Sequence, residues 1–149
     1  MGLNKDNIET KAMKVGTNFE HRILAKIPKV TEKDTQILIP EIGLRVNYDG
    51  TGKDYICEVK TSKNEYKLTK SHFLQAQVEM LAWRMKYGVI PEMEIAAYQV
   101  NEQDYLNYFT PIDLERLKLI PVQFDQSIAD EYLKRLEIIH DCIKRGAKP

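Results

Sequence analysis

Cysteine is scarce: the chain has two, Cys57 and Cys142, far apart, and Cys57 falls inside an apolar, strand-like run. Neither a disulfide framework nor a four-thiolate metal cluster can be built from them, so a reducing, cytoplasmic setting is expected. Long apolar runs are missing as well, none approaching the ~20 residues that a membrane span needs. The stretch from Met1 to Lys14 is polar and charged, unlike a signal sequence, so neither secretion nor membrane insertion is expected. No charge sign dominates, with 22 Lys and Arg against 22 Asp and Glu, so global charge does not advertise a nucleic-acid partner. His21, His72 and His140 show no metal-binding spacing with the cysteines or with one another. Internal repeats, low-complexity tracts and long linkers are absent.

What is present is the balance of a soluble globular protein, 43% hydrophobic and 30% charged. At 149 residues the expectation is one domain over 1–149, with 1–14 a flexible or weakly helical N-terminal segment. Charge is patterned locally: Lys60, Lys63, Lys67 and Lys70 form a basic stretch suited to phosphate.

Hydrophobic periodicity supplies the elements. Val15, Phe19, Ile23 and Ile27 recur every four residues, which predicts a helix from Val15 to Ile27, stopped by Pro28. Three strands follow at Gln36–Ile42, Leu44–Asp49 and Tyr55–Thr61, with Gly50 and Gly52 marking a tight connection between the last two. A second helix is expected over Ser71–Tyr87, with Leu74, Val78, Leu81 and Met85 on its apolar face, Thr69 or Ser71 as N-cap and Gly88 past its end. Two more strands, Glu94–Val100 and Tyr105–Thr110, a turn-rich segment from Pro111 to Phe124, and a helix over Ser127–Lys144 complete the order. A three-layer α/β/α sandwich around a central mixed sheet would bury all these stripes.

In Tyr55-Ile56-Cys57-Glu58-Val59-Lys60, alternation places Glu58 and Lys60 on one surface. On the preceding strand Leu44, Val46 and Tyr48 form the apolar face and Arg45, Asn47 and Asp49 the polar one. With the hairpin centred between Lys53 and Asp54, Asp49 lies directly across from Glu58, Cβ atoms ~5 Å apart. Two carboxylates at that separation repel each other unless a hard divalent cation such as magnesium lies between them. Taken alone, Glu58 and Lys60 read better as an ordinary exposed ion pair beside an unrelated turn aspartate.

Three segments together resemble the PD-(D/E)xK nucleases. Asp49, eight residues, then Glu58-Val59-Lys60-Thr61 looks like their signature on a hairpin. Upstream, Gly16-Thr17-Asn18-Phe19-Glu20 resembles the Gly-x-x-x-Glu helix of many members, including archaeal Holliday-junction resolvases. Downstream, His72-Phe73-Leu74-Gln75-Ala76-Gln77 resembles the glutamine-bearing helix of RecB-like and phage recombination exonucleases. Many RecB-like relatives carry tyrosine four residues after the glutamine, whereas Glu79 follows Gln75 here. Family order favours Gln75; Gln77, on the apolar stripe, reads better as a hydrogen-bonded core amide.

The resemblance covers roughly Val15 to Tyr87. It implies a restriction-endonuclease-like fold and a magnesium-dependent deoxyribonuclease, manganese substituting, of the exonuclease or recombination and repair type. Metal would be held by Asp49, Glu58, Glu20 and the Val59 carbonyl, with Lys60 acting on the attacking water and the phosphate and Gln75 positioning Lys60 or the phosphate. Two cysteines exclude the iron–sulfur cluster of one RecB-like subgroup. DNA is the implied partner, with a homo-oligomer and a recombination or replication partner protein left open.

Lys63, Lys67, Lys70 and Arg84 are candidates to track the backbone, though each lysine alone reads as a solvated charge. Tyr105, Tyr108 and Phe109 could stack on bases, with strand packing the better reading. Trp83 and Tyr87 read as core or as an oligomer contact. Two rivals remain: a junction-resolving or restriction-type endonuclease acting as a dimer, and a non-catalytic interaction module retaining the fold.

Overall fold

A computed structural model describes residues 19–106 and 110–146. The elements are helix α1 at residues 19–24, strands β1 (Glu32–Ile39), β2 (Leu44–Gly52) and β3 (Tyr55–Ser62), helix α2 (Lys70–Tyr87), β4 (Glu92–Gln99), a short helix α3 (Glu102–Leu106), β5 (Leu117–Pro121) and helix α4 (Gln126–Lys144). The sheet runs β1-β2-β3-β4-β5, antiparallel throughout except for the parallel pair β3 and β4 that α2 connects.

Alternation along the strands gives the sheet two apolar faces. On one, Ile37, Val46, Tyr48, Ile56 and Ile95 pack under Ala76, Met80 and Trp83 of α2, with Leu133 and Leu136 of α4 at the margin. On the other, Tyr55, Cys57, Ala96 and Tyr98 pack against Phe19, Ile23 and Leu24 of α1. The chain is therefore an α/β three-layer sandwich around a mixed sheet, as its apolar pattern requires. Among the described residues no helix is long and apolar enough to cross a membrane.

Helix α2 has the expected ends: the Thr69 side chain accepts the His72 N–H at 3.1 Å, and Gly88, at φ 78°, donates to the Arg84 carbonyl at 2.8 Å. Its sheet-facing side differs from the expected stripe. Leu74 and Met85 are exposed and Val78 is half-buried, while Ala76, Met80 and Trp83 face the sheet. Trp83 is thus a core residue, edge-on to Tyr48.

Two strand boundaries and one assignment also change. Strand β1 begins earlier, at Glu32, and ends at Ile39, because Pro40 has no N–H for the ladder and opens a 3-10 turn to Ile42. The expected strand Tyr105–Thr110 is overturned over its described part, since Glu102–Leu106 is helical. Its cause is a reciprocal cap: the Asp104 N–H donates to Asn101 Oδ1 at 3.1 Å and the Asn101 N–H to Asp104 Oδ2 at 2.8 Å. The fifth strand comes from the segment read as turns, at Leu117–Pro121, antiparallel to β4. Residues 15–18, the Tyr105 side chain, Tyr108 and Phe109 lie outside what is described, so the Gly-x-x-x-Glu motif is represented here by Phe19 and Glu20.

The β2–β3 hairpin has the expected centre, pairing Gly52 with Tyr55 and Gly50 with Cys57. Asp54 takes the left-handed φ of 48°, tolerable for aspartate. Gly52 is required by close approach, because a Cβ there would lie 1.9 Å from the Lys29 carbonyl oxygen. Gly52→Ala is expected to destabilise the protein by about 1–3 kcal/mol, the range for overpacking. Thermal unfolding at the wild-type temperature would contradict that account.

Candidate active site

The site forms where the sheet ladder lapses. Strands β2 and β3 share three paired positions, ending at Gly50 and Cys57. At the next position the Asp49 carboxylate, not a backbone carbonyl, accepts the Val59 N–H, at 2.8 Å. The β1–β2 register lapses at the same point: Lys33 pairs with Gly50 and Thr35 with Tyr48, but Asp34, at φ 52°, and Asp49 are skipped.

This irregularity alters which side each carboxylate faces. Tyr48 packs on Trp83 of α2, whereas a Cβ at Gly50 would press on Leu24 and Val30, on the α1 side. Asp49 and Glu58 are therefore not neighbours along one polar row, as simple alternation suggests. Asp49 meets Glu20 of α1, and Glu58 meets Gln75 and Glu79 of α2. The Asp49 charge still acts on Glu58, raising its carboxyl after burial has done so.

Lys60 and Gln75 close one side of the cluster. The Lys60 ammonium lies 3.5 Å from Glu58 Oε1 and donates to Gln75 Oε1 at 3.2 Å. The Gln75 amide donates in turn to Glu58 Oε1 at 3.1 Å. Gln77, two residues on, is 1% exposed and occupied elsewhere: it donates to the Gln123 carbonyl at 2.8 Å and accepts the Asp125 N–H at 2.7 Å. It fastens α2 to the chain entering α4.

Crowded carboxylates hold protons. Burial, then the Asp49 charge, raises the Glu20 carboxyl to about 7. Burial, then Asp49, also raises Glu58 above the ordinary carboxylate range. Glu79, which sequence reading did not place in the site, is 3% exposed and pushed up to about 10, first by burial and then by Glu58. Its signal was its position one turn after Gln75, on the same side of the helix. His72 is stacked on Tyr66, whose hydroxyl lies 2.6 Å from Nδ1, and burial followed by the Lys60 charge keeps the imidazole below its usual value.

The basic candidates divide. Lys63, Lys67 and Lys70 lie exposed between the end of β3 and the start of α2. Arg84 is placed elsewhere, donating to Gln126 Oε1 at 2.8 Å with its guanidinium 5.0 Å from the Phe124 ring centre. His21 pairs with Asp34 at 2.8 Å on the exposed flank of Glu20. These three are close enough to offer one ligand atom each to an ion.

No family model and no curated protein matches the chain. The fold has a counterpart among solved structures: a protein from Eubacterium rectale, provisionally named an exonuclease. The two superpose with a TM-score of 0.55 at 16% identity, over 99% of this chain and 59% of the other. The chain thus spans about three-fifths of that protein's length, and at this identity the likeness shows a shared fold alone.

Two outcomes follow from the geometry. Gln77→Ala removes a buried amide and both of its hydrogen bonds to the chain before α4 and is expected to cost about 2 kcal/mol, whereas Gln75→Ala should change stability by less than about 0.5 kcal/mol; chemical denaturation measures both. For pH, the native state keeps the Glu79 proton from the ordinary value of 4.5 up to about 10, while the unfolded chain has lost it. The folded state thus binds more protons, so stability of the metal-free protein falls as pH rises between about 7 and about 9. Below about 6.5 the lowered His72 value opposes this trend. Glu79→Gln should flatten the fall in melting temperature across that window, and an unchanged slope would refute the assignment.

Proposed function

We propose that the chain is a divalent-metal-dependent nuclease that hydrolyses phosphodiester bonds of DNA, with Asp49, Glu58 and Glu20 as acidic ligands. The observation carrying this reading is that Asp49, at the lapse in the β2–β3 ladder, acts electrostatically on both Glu20 of α1 and Glu58 of β3, with Lys60 beside Glu58. Without a cation their mutual repulsion opposes folding, and a set of hard oxygen donors fits magnesium or manganese. The Val59 carbonyl, adjoining Glu58, is the backbone donor in this scheme.

A bound divalent ion supplies Lewis-acid polarisation of a phosphoryl oxygen and a more acidic water. Lys60 provides a compact positive charge at the rim of the carboxylates, placed to orient the attacking water and to stabilise charge building on the phosphate. Gln75 fixes the Lys60 ammonium by accepting a hydrogen bond from it at Oε1 while its amide N–H donates to Glu58. Lys63, Lys67 and Lys70 offer backbone contacts of the salt-sensitive, sequence-independent kind. The glutamine-bearing helix leans toward attack on DNA ends and the Gly-x-x-x-Glu segment toward attack within the strand, and a linear duplex compared with a covalently closed one separates the two.

Lys60→Ala is expected to bind Mn²⁺ as the wild type does while cleaving DNA about 10²-fold more slowly or worse. Asp49→Asn and Glu58→Gln should lose both binding and cleavage. Calorimetric Mn²⁺ binding unchanged in those two variants would sink the proposal in favour of a non-catalytic module.

A further inference from the structure

Helix α2 brings a fourth carboxylate to the cluster, and nothing in the packing accounts for it. Glu79 is 3% exposed, and no donor reaches either of its carboxylate oxygens. A buried polar group in that condition is strongly unfavourable, and a carboxylate more so. An apolar side chain of similar size would serve the surrounding core of Met80, Trp83 and Tyr48 better.

The position of Glu79 is well defined. The Tyr48 hydroxyl donates to the Glu79 backbone carbonyl at 2.7 Å, tying this turn of α2 to β2 directly beside Asp49. One turn earlier, Gln75 reaches Glu58 Oε1 from the outer side. Glu79 therefore lies on the inner side of Glu58, within electrostatic reach of the Glu58 and Asp49 charges.

Charge counting then asks for more than one cation. Ligating a cation requires the carboxylates to give up their protons, and with Glu20, Asp49, Glu58 and Glu79 all ionised against one ammonium, Lys60, three negative charges remain. One divalent ion leaves one of these uncompensated. Two reverse the sign by a single charge, which one phosphodiester cancels.

We propose that Glu79 holds a second divalent cation on the α2 side of the gap, sharing Glu58 with the first ion, which Asp49, Glu58 and Glu20 hold. This rests on the metal-dependent reading above and deepens it by adding a ligand from the glutamine-bearing helix. The alternative is structural, with Glu79 carrying a proton and donating it to Glu58. Glutamine separates the two, since its N–H can replace that donation while its amide removes the ligating charge.

The test counts Mn²⁺ ions per chain by calorimetry and by electron paramagnetic resonance of the free ion. Wild type should bind two, Glu79→Gln one, and Glu79→Asp, which keeps the charge, two with the second weakened. The second-site affinity should fall at least tenfold in the glutamine variant, with melting curves confirming that it is folded. One ion in the wild type, or two undiminished in Glu79→Gln, overturns the inference, and the metal-dependent reading survives if Asp49→Asn still abolishes binding. No ion in the wild type overturns both.

Discussion

A hydrogen bond to a side chain where the sheet would otherwise supply a backbone carbonyl organises this molecule's candidate site. Because the Asp49 carboxylate takes the Val59 N–H, the β2–β3 ladder ends after three pairs without leaving that N–H unsatisfied. The lapse exposes both sides of the strand pair at one point. Glu20 approaches from α1, Gln75 and Glu79 approach from α2, and the three layers of the sandwich meet there. A fully paired hairpin would present Asp49 and Glu58 on one face and bring in residues from one helix.

Holding several carboxylates together strains the fold, and the strain is offset elsewhere. Two apolar clusters on opposite faces of the sheet supply the burial, and α2 is capped at both ends. The helix is also secured by a polar tie: Gln77 makes two hydrogen bonds to the chain before α4. With Gln77 satisfied and anchored, the residues flanking it on the neighbouring side, Gln75 and Glu79, are held over the gap by a helix that cannot easily rotate away. Stability and chemistry thus occupy adjacent sides of one element.

Much of this was legible in the sequence, and the failures have definite causes. The hairpin centre followed from Gly50, Gly52 and the alternation of Tyr55 to Lys60, and the structure has that register. The side faced by Asp49 was not legible, because alternation assumes a continuous ladder and both neighbouring ladders lapse at this residue. The strand misassigned to Tyr105–Thr110 was an aromatic-rich pattern overridden by the Asn101–Asp104 cap, a signal available in the sequence but given less weight than hydrophobicity. β5 was hidden for the opposite reason: an edge strand of five residues, mostly exposed and bearing Lys118, has little apolar pattern to show. Glu79 escaped because a carboxylate at an internal helix position usually faces water, and its 3% exposure depends on two layers closing over it.

The pairing of Gln75 with Lys60 and Glu58 shows why an amide belongs at that turn of α2. A glutamate there would accept from the Lys60 ammonium but repel Glu58, adding a further negative charge to an already crowded cluster. A lysine or arginine would pair with Glu58 and repel Lys60. An amide carries no net charge and presents an acceptor on one side and a donor on the other, so it can bridge a cation and an anion at 3.2 and 3.1 Å simultaneously. Its orientation is fixed by the same logic, since turning the amide over would set oxygen against carboxylate and N–H against ammonium. The amide therefore holds Lys60 at the rim of the carboxylates without neutralising them, which leaves their negative charge available to a cation.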